Sequence, residues 1–209
     1  MFNALTFDIE TAKRAGGDLR VFYAGETDPH IPGAEFFRIV PDGFSGDLEG
    51  NVYLPSLLMS DATTDAVMDH VLSGRGKLIV SACRTLEEVG TCDKRYGVTP
   101  VGLAHKYGLL DGAFVAGGTY LDKDDIDLIN QSGAEIIVTP SMSMGLGEGI
   151  PPLRMMLTLG ASVHIGTGLR DFNPEGDLSF EARLLSLAVS GALCTPGAIP
   201  EKDIKKMLK

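Results

Sequence analysis

The sequence is poor in the residues that build several common kinds of site. It has no tryptophan, three cysteines and four histidines among 209 residues. The cysteines, Cys83, Cys92 and Cys194, are odd in number and widely spaced, and no Cys-x-x-Cys pair occurs. This spacing is not that of a disulfide framework, so we expect reduced thiols in a cytosolic compartment.

Positive charge and long apolar runs are also scarce. The 28 acidic residues outnumber the 18 basic ones, which gives a formal net charge of −10. A nucleic-acid surface or an anionic membrane surface requires a basic face, so neither partner is expected. No apolar run approaches the roughly 20 residues that cross a bilayer. We see no signal peptide and expect a cytoplasmic protein.

The apolar content is sufficient for one α/β domain over residues 1–209, with 44% hydrophobic residues. Short apolar runs predict buried strands at 19–24, 51–54, 77–82, 113–116, 135–139 and 162–166. Capping residues and spacing predict helices between them, at 61–72, 101–107, 123–131, 153–159 and 178–189. The segment 25–50 is rich in Gly, Pro and Asp and is expected to be a long loop.

Alternating strands and helices predict right-handed βαβ units and a parallel sheet. Two architectures remain open: a partial or modified TIM (β/α) barrel, and an open doubly wound sheet. In both, ligands bind at the carboxyl ends of the strands. The residues there are small, polar or glycine-rich, and the candidate binding residues are Ser81, Cys83, Arg84, Gly117, Thr139, Ser141, Ser143, Gly168 and Arg170.

The order and spacing of these segments resemble the amidohydrolase superfamily, in particular its branch of cytosine deaminases, guanine deaminases and chlorohydrolase-like enzymes. The resemblance covers about 77–191 and implies a metal-dependent hydrolase on a TIM-type barrel. Its landmarks are Tyr96-Gly97, Thr99-Pro100, Gly108-Leu109-Leu110, Pro140, Leu146, Gly149, Pro152, Gly166-Thr167, and Glu181 with Arg183.

The resemblance implies a divalent metal at the strand ends that activates a water molecule. In this sequence Ser81, Arg84, Gly117 and Gly168 stand where the family has His, Glu, His and Asp, and Ser143 stands at the family's Asn. Ser and Gly cannot replace imidazole, and Arg is a permanent cation. The family's first His-x-His motif is expected to lie before the start of this chain. We therefore predict no metal and no cofactor.

The histidines offer no alternative metal site, because no two of His30, His70, His105 and His164 are two or four residues apart. His164 is expected to be a satisfied core histidine. The methionines Met142, Met144, Met155 and Met156 are expected to fill gaps in the core or to line an apolar pocket.

Arg84 allows two interpretations. With nearby hydroxyls, and with Arg170, it could form a pocket for a carboxylate or phosphate. Alternatively it pairs with Glu87, Glu88 or another acid at the rim. Cys83 as a nucleophile would need a neighbouring base, and the sequence places none there.

These features lead to three hypotheses. The first is an amidohydrolase-like protein that has lost its metal site and acts as a non-catalytic module, binding a small anion or supporting assembly. The second is a hydrolase or deaminase that acts on C–N bonds with a rearranged or metal-independent site. The third is a fragment that completes a barrel with another chain. Because about six strands would leave two open sheet edges, we also expect self-association into a homo-oligomer, or a local closure that hides the edges.

Overall fold

Eight parallel strands, paired in chain order, form the sheet of the computed structural model, which describes residues 2–14 and 19–208. The strands are β1 (Phe2–Thr6), β2 (Leu19–Gly25), β3 (Ala34–Ile39), β4 (Asn51–Leu54), β5 (Leu78–Ala82), β6 (Phe114–Gly117), β7 (Glu135–Val138) and β8 (Val163–Ile165). Most are short and flanked by helices, as expected for strands buried on both faces.

The last strand returns to the first. The backbone N–H groups of Thr167 and Gly168 donate to the carbonyl of Leu5 at 3.0 and 3.1 Å, and the N–H of Phe7 donates to the carbonyl of Gly168 at 3.1 Å. Thr6 and Gly168 form a parallel bridge at the same point. The sheet is therefore a nearly closed barrel, and of the two predicted architectures the open doubly wound sheet is wrong.

Helices follow most strands. They are α1 (Ile9–Arg14), α2 (Asp61–Leu72), α3 (Leu86–Tyr96), α4 (Pro100–Lys106), α5 (Lys123–Gln131), α6 (Pro140–Gly145), α7 (Leu153–Thr158), α8 (Leu178–Ala192) and α9 (Glu201–Met207). The hydroxyls of Thr85 and Thr99 cap α3 and α4 by accepting backbone N–H groups, and Asp122 does the same for α5. None of these helices is long and apolar enough to span a bilayer.

All six predicted strands are present, but two others were missed. The segment 25–50 contains β3, so the expectation of one long loop there is wrong. In β3 the buried Phe37 alternates with the exposed Arg38, and this pattern is not the continuous apolar run of a doubly covered strand. The near closure of β8 onto β1 matches the alternative of a local closure, and it hides much of the two open edges on which the expected self-association was based. A homo-oligomer stays a prediction without that support.

The core has two layers. One lies between the sheet and the helices, and the other fills the barrel interior with Leu5, Phe22, Phe37, Ile79, Phe114 and Ile137 among others. The ring of Phe22 lies 5.0 Å from that of Phe37 and 4.8 Å from that of Phe114. The middle of the barrel is therefore solid, as in other barrels of this type. A functional site has room only at an end of the barrel or on its outer surface.

The closing seam leads to a first prediction. A Cβ atom on Gly166 would lie 2.6 Å from the carbonyl oxygen of Leu5, so Gly166→Ala must push β8 away from β1. We expect a loss of about 1–3 kcal/mol in the free energy of unfolding, measured by urea denaturation. Gly191→Ala is the matched control, because a Cβ there meets no atom within 4 Å and should leave stability unchanged or slightly raised. Equal effects of the two substitutions would contradict the close approach at the seam.

Candidate functional site

The carboxyl ends of the strands bring several predicted residues around one small cavity. Four of the predicted residues line it: Ser81, Arg84, Gly117 and Thr139. The other lining residues, which were not predicted from the sequence, are Leu5, Phe7, Tyr53, Ala116, Met142 and Glu148. The cavity has room for at most about one water molecule. We call this region the barrel mouth.

An ion pair closes the barrel mouth. Arg84 Nε donates to Glu148 Oε1 at 2.8 Å, and Arg84 Nη2 donates to the same oxygen. The Glu148 side chain is 4% exposed and that of Arg84 is 31% exposed. Burial alone would lower the pKa of Arg84, but the hydrogen bond and the charge of Glu148 outweigh it and raise that pKa.

Of the two interpretations of Arg84, the structure contains the ion pair with an acid at the rim, and that acid is Glu148. Glu88, one of the acids considered, instead accepts the backbone N–H of Arg84 at 2.7 Å. An external anion would have to displace the carboxylate of Glu148 to reach the guanidinium. An anion pocket at Arg84 therefore stays a prediction, and it requires that Glu148 leave the guanidinium.

Two glycines at the strand ends are required by the packing of this mouth. Gly117 has a φ of 96°, and a Cβ there would lie 2.6 Å from Arg84 Cγ. Gly168 has a φ of 62°, and its Cβ would lie 2.8 Å from Met142 Cβ. A side chain at position 117 and the stem of Arg84 therefore exclude each other. The departures from the family pattern at positions 84 and 117 are physically coupled.

Ser81 is held by a tyrosine. The hydroxyls of Tyr53 and Ser81 are 2.7 Å apart inside the barrel, and burial raises the pKa of Tyr53. Tyr53 was not named from the sequence, because an aromatic residue at the end of a buried strand is most simply interpreted as core. Both residues line the mouth cavity together with Arg84.

Cys83 points away from the mouth. It belongs to the core layer between the sheet and the helices, and its Sγ lies 3.8 Å from a carboxylate oxygen of Asp125. Burial, followed by the negative charge of Asp125, raises the pKa of the Cys83 thiol far above its usual value. This environment keeps the thiol protonated and does not activate a nucleophile.

The remaining candidates serve the surrounding framework. The backbone N–H and hydroxyl of Ser141 donate to the buried carboxylate of Glu181 at 2.8 and 2.5 Å, which ties α6 to α8. The carbonyl of Ser143 accepts the N–H of Glu148 at 2.8 Å and so holds the loop that carries the ion pair. Arg170 is exposed at the rim and does not line the cavity.

The mouth residues do not fit the divalent metal that the resemblance implies. Within residues 2–14 and 19–208, no three or more His, Cys, Asp or Glu side chains are grouped so as to hold a metal ion. His164 Nε2 instead lies 2.5 Å from a carboxylate oxygen of Glu135, which is the first residue of β7. A guanidinium, two glycines and a paired serine offer no ligand set for zinc or a similar ion.

Comparison with curated proteins finds deaminases. A 5-methylthioadenosine/S-adenosylhomocysteine deaminase of Pyrococcus furiosus is 34% identical over 124 residues, which are 59% of this chain and 30% of that protein. An enzyme of the same name from Moorella thermoacetica is 31% identical over 124 residues, or 59% of this chain and 29% of its own length. The chain therefore spans about a third of the length of these relatives. No protein-family model matches it.

Comparison with solved structures finds barrels. An amidohydrolase from Brucella melitensis has a TM-score of 0.67 and 14% identity, covering 94% of this chain and 49% of its own. Guanine deaminase from C. acetobutylicum has a TM-score of 0.62 and 14% identity, covering 93% of this chain and 53% of its own. At these identities the likeness establishes the fold alone.

The ion pair at the mouth leads to a second prediction. Arg84→Met leaves the buried carboxylate of Glu148 without a counter-charge and should cost about 2–4 kcal/mol of unfolding free energy. Glu148→Leu should cost less, because Arg84 is partly exposed and its guanidinium can turn to water. The double variant should regain most of the loss of Arg84→Met. A double-mutant cycle by urea denaturation measures this coupling, and strictly additive losses would contradict it.

Proposed function

We propose that this chain is an amidohydrolase-type barrel that acts as a non-catalytic module and binds a small anion. Its sequence relatives and structural neighbours indicate the amidohydrolase superfamily, as the resemblance predicted. The observation that carries the proposal is the Arg84–Glu148 ion pair over a cavity with room for at most about one water molecule. Hydrolysis of a C–N bond requires an activated water beside a bound substrate. The mouth in this closed form offers space for neither substrate nor metal, and an anion enters only by displacing the carboxylate of Glu148.

The positive charge of Arg84 is the reason for proposing an anion as the ligand. A guanidinium binds carboxylates and phosphates through paired hydrogen bonds, and here Glu148 already fills that position as an internal carboxylate. Glu148 lies between Gly147 and Gly149, both with positive φ, at 74° and 110°. When an external carboxylate or phosphate takes the place of the Glu148 carboxylate, Arg84 remains paired with an anion.

This model predicts that removing the internal carboxylate favours an external one. In Glu148→Gln, which keeps the size of the side chain but not its charge, acetate or phosphate should raise the melting temperature more than in the unchanged protein. In the Arg84→Met, Glu148→Gln double variant the shift should disappear. Differential scanning fluorimetry over an anion series, with sodium chloride at matched ionic strength as control, measures both. A shift in Glu148→Gln that survives Arg84→Met would place the anion elsewhere.

Hydrolysis of a C–N bond is the second candidate function, and the deaminase relatives favour it. Since the chain spans about 30% of the length of the Pyrococcus relative, that enzyme's activity is a proposal for this chain. The residue best suited to a metal-independent mechanism is Glu88. It lines an open cleft at the rim together with Ser56, Arg84, Thr85 and Glu87. Burial raises the pKa of Glu88, although the hydrogen bond from the Arg84 backbone and the charge of Arg84 act in the opposite direction. A carboxyl group with a raised pKa is suited to act as a general acid or base.

Turnover assays separate the two candidates. Ammonia release from 5-methylthioadenosine, S-adenosylhomocysteine, adenosine and guanine is measured with the purified protein, with and without added zinc. The non-catalytic proposal predicts no release above that of the buffer. Release that is lost in Glu88→Gln but kept in the exposed neighbour Glu87→Gln would establish the second candidate and overturn the first.

A further inference from the structure

A wide apolar groove lies away from the barrel mouth. It runs along the outer surface between α7 and the last turn of α8, with α5 at one side. Its volume is about 540 Å³, within the range of small-molecule sites. It shares no lining residue with the mouth cavity. Nothing in the proposed function of the mouth explains it.

The lining of this groove is apolar with a cationic rim. Ile150, Met155, Leu159, Val189 and Leu193 form much of the apolar surface, and Leu193 is 46% exposed. Contiguous apolar surface in a groove with a polar rim commonly marks a binding site.

The charged residues that line the groove are Lys123 and Arg154, and both are cations although the chain has a net charge of −10. Lys123 Nζ lies 2.5 Å from a carboxylate oxygen of Asp127. Arg154 is exposed and donates to the carbonyl of Ala198 at 3.4 Å. Among the described residues it forms no ion pair. Its guanidinium therefore has donors to offer a ligand.

We propose that this groove binds a free monocarboxylate with an unbranched apolar chain. The chain lies on Met155, Leu159 and Leu193, and the carboxylate is bound by Arg154 at the rim. Burying apolar methylenes supplies the affinity, and the cation selects an acid over a neutral molecule of the same length. No acidic side chain lines the groove itself, and the acids nearest its cations lie outside it: Asp127, paired with Lys123, and Asp203, which lines the adjacent cavity with Arg154.

Isothermal titration calorimetry with sodium decanoate tests this site, at concentrations below micelle formation. We expect saturable binding of one decanoate per chain. Octanoate, shorter by two methylenes, should bind roughly tenfold more weakly. Decanol, which lacks the charge, and the variant Arg154→Gln titrated with decanoate should each show about three- to tenfold weaker binding.

Two further variants locate the ligand. Ala192→Trp fills the groove from an exposed position at the end of α8 and should abolish binding. Arg183→Gln removes an exposed cation from the same helix but outside the groove and should leave binding unchanged. Circular dichroism melting confirms that each variant folds.

Several outcomes would overturn the proposal. These are the absence of saturable decanoate binding, equal affinity for decanoate and decanol, and decanoate binding that survives Ala192→Trp. A dimer by light scattering that Ala192→Trp dissociates, with no decanoate binding, would assign the groove to a second copy of the chain instead. Because the readout is binding outside the mouth, each result stands apart from the turnover and anion tests of the proposed function.

Discussion

The closure of β8 onto β1 is the constraint on which the rest of the structure depends. Three backbone hydrogen bonds at Leu5, Phe7, Thr167 and Gly168 form the seam, and Gly166 allows the two backbones to approach there. Parallel strands with unpaired edges are exposed to pairing with other chains, whereas a closed ring has no such edge. Closure also fixes the strand ends around one axis. Side chains that are far apart in the sequence then meet at the mouth.

Once the strand ends converge, charge and volume determine what can stand there. The stem of Arg84 takes the space that a side chain at 117 would need, and the guanidinium pairs with an anion beside it. Glu148 supplies that anion, and its buried carboxylate in turn requires Arg84. These features of the mouth thus support each other. Removing Arg84 alone leaves the buried carboxylate of Glu148 unpaired, and adding a side chain at position 117 alone produces a steric clash with Arg84.

The sequence predicted those parts of the fold and site that follow from local patterns. β5, β6 and β7 are apolar on both faces, and the rule that parallel strands present ligands at their carboxyl ends brought Ser81, Arg84 and Gly117 together. β3 was missed because Arg38 interrupts its apolar pattern. Glu148 was missed as a partner because it lies 64 residues from Arg84 in a glycine-rich loop whose position depends on the finished barrel. Of the groove between α7 and α8, the sequence indicated only Met155, as a residue that could line an apolar pocket. The other lining residues come from separate helices that meet only in the folded chain.

The way in which a short chain completes an eight-stranded barrel follows from its connections. Between β2 and β3 and between β3 and β4 the described residues form no helix, so these strands are joined by loops alone. β2 is contacted by α1, and half-buried aromatic residues stand on β2 and β3, with the rings of Tyr23 and Phe36 6.1 Å apart. Aromatic rings protect more apolar surface per residue than other side chains. Each of β5, β6, β7 and β8 is followed by a helix, and the ends of these strands bring Ser81, Arg84, Gly117 and Gly168 to the region of the mouth. Most of the candidate site is thus built on the half of the barrel in which a helix follows every strand.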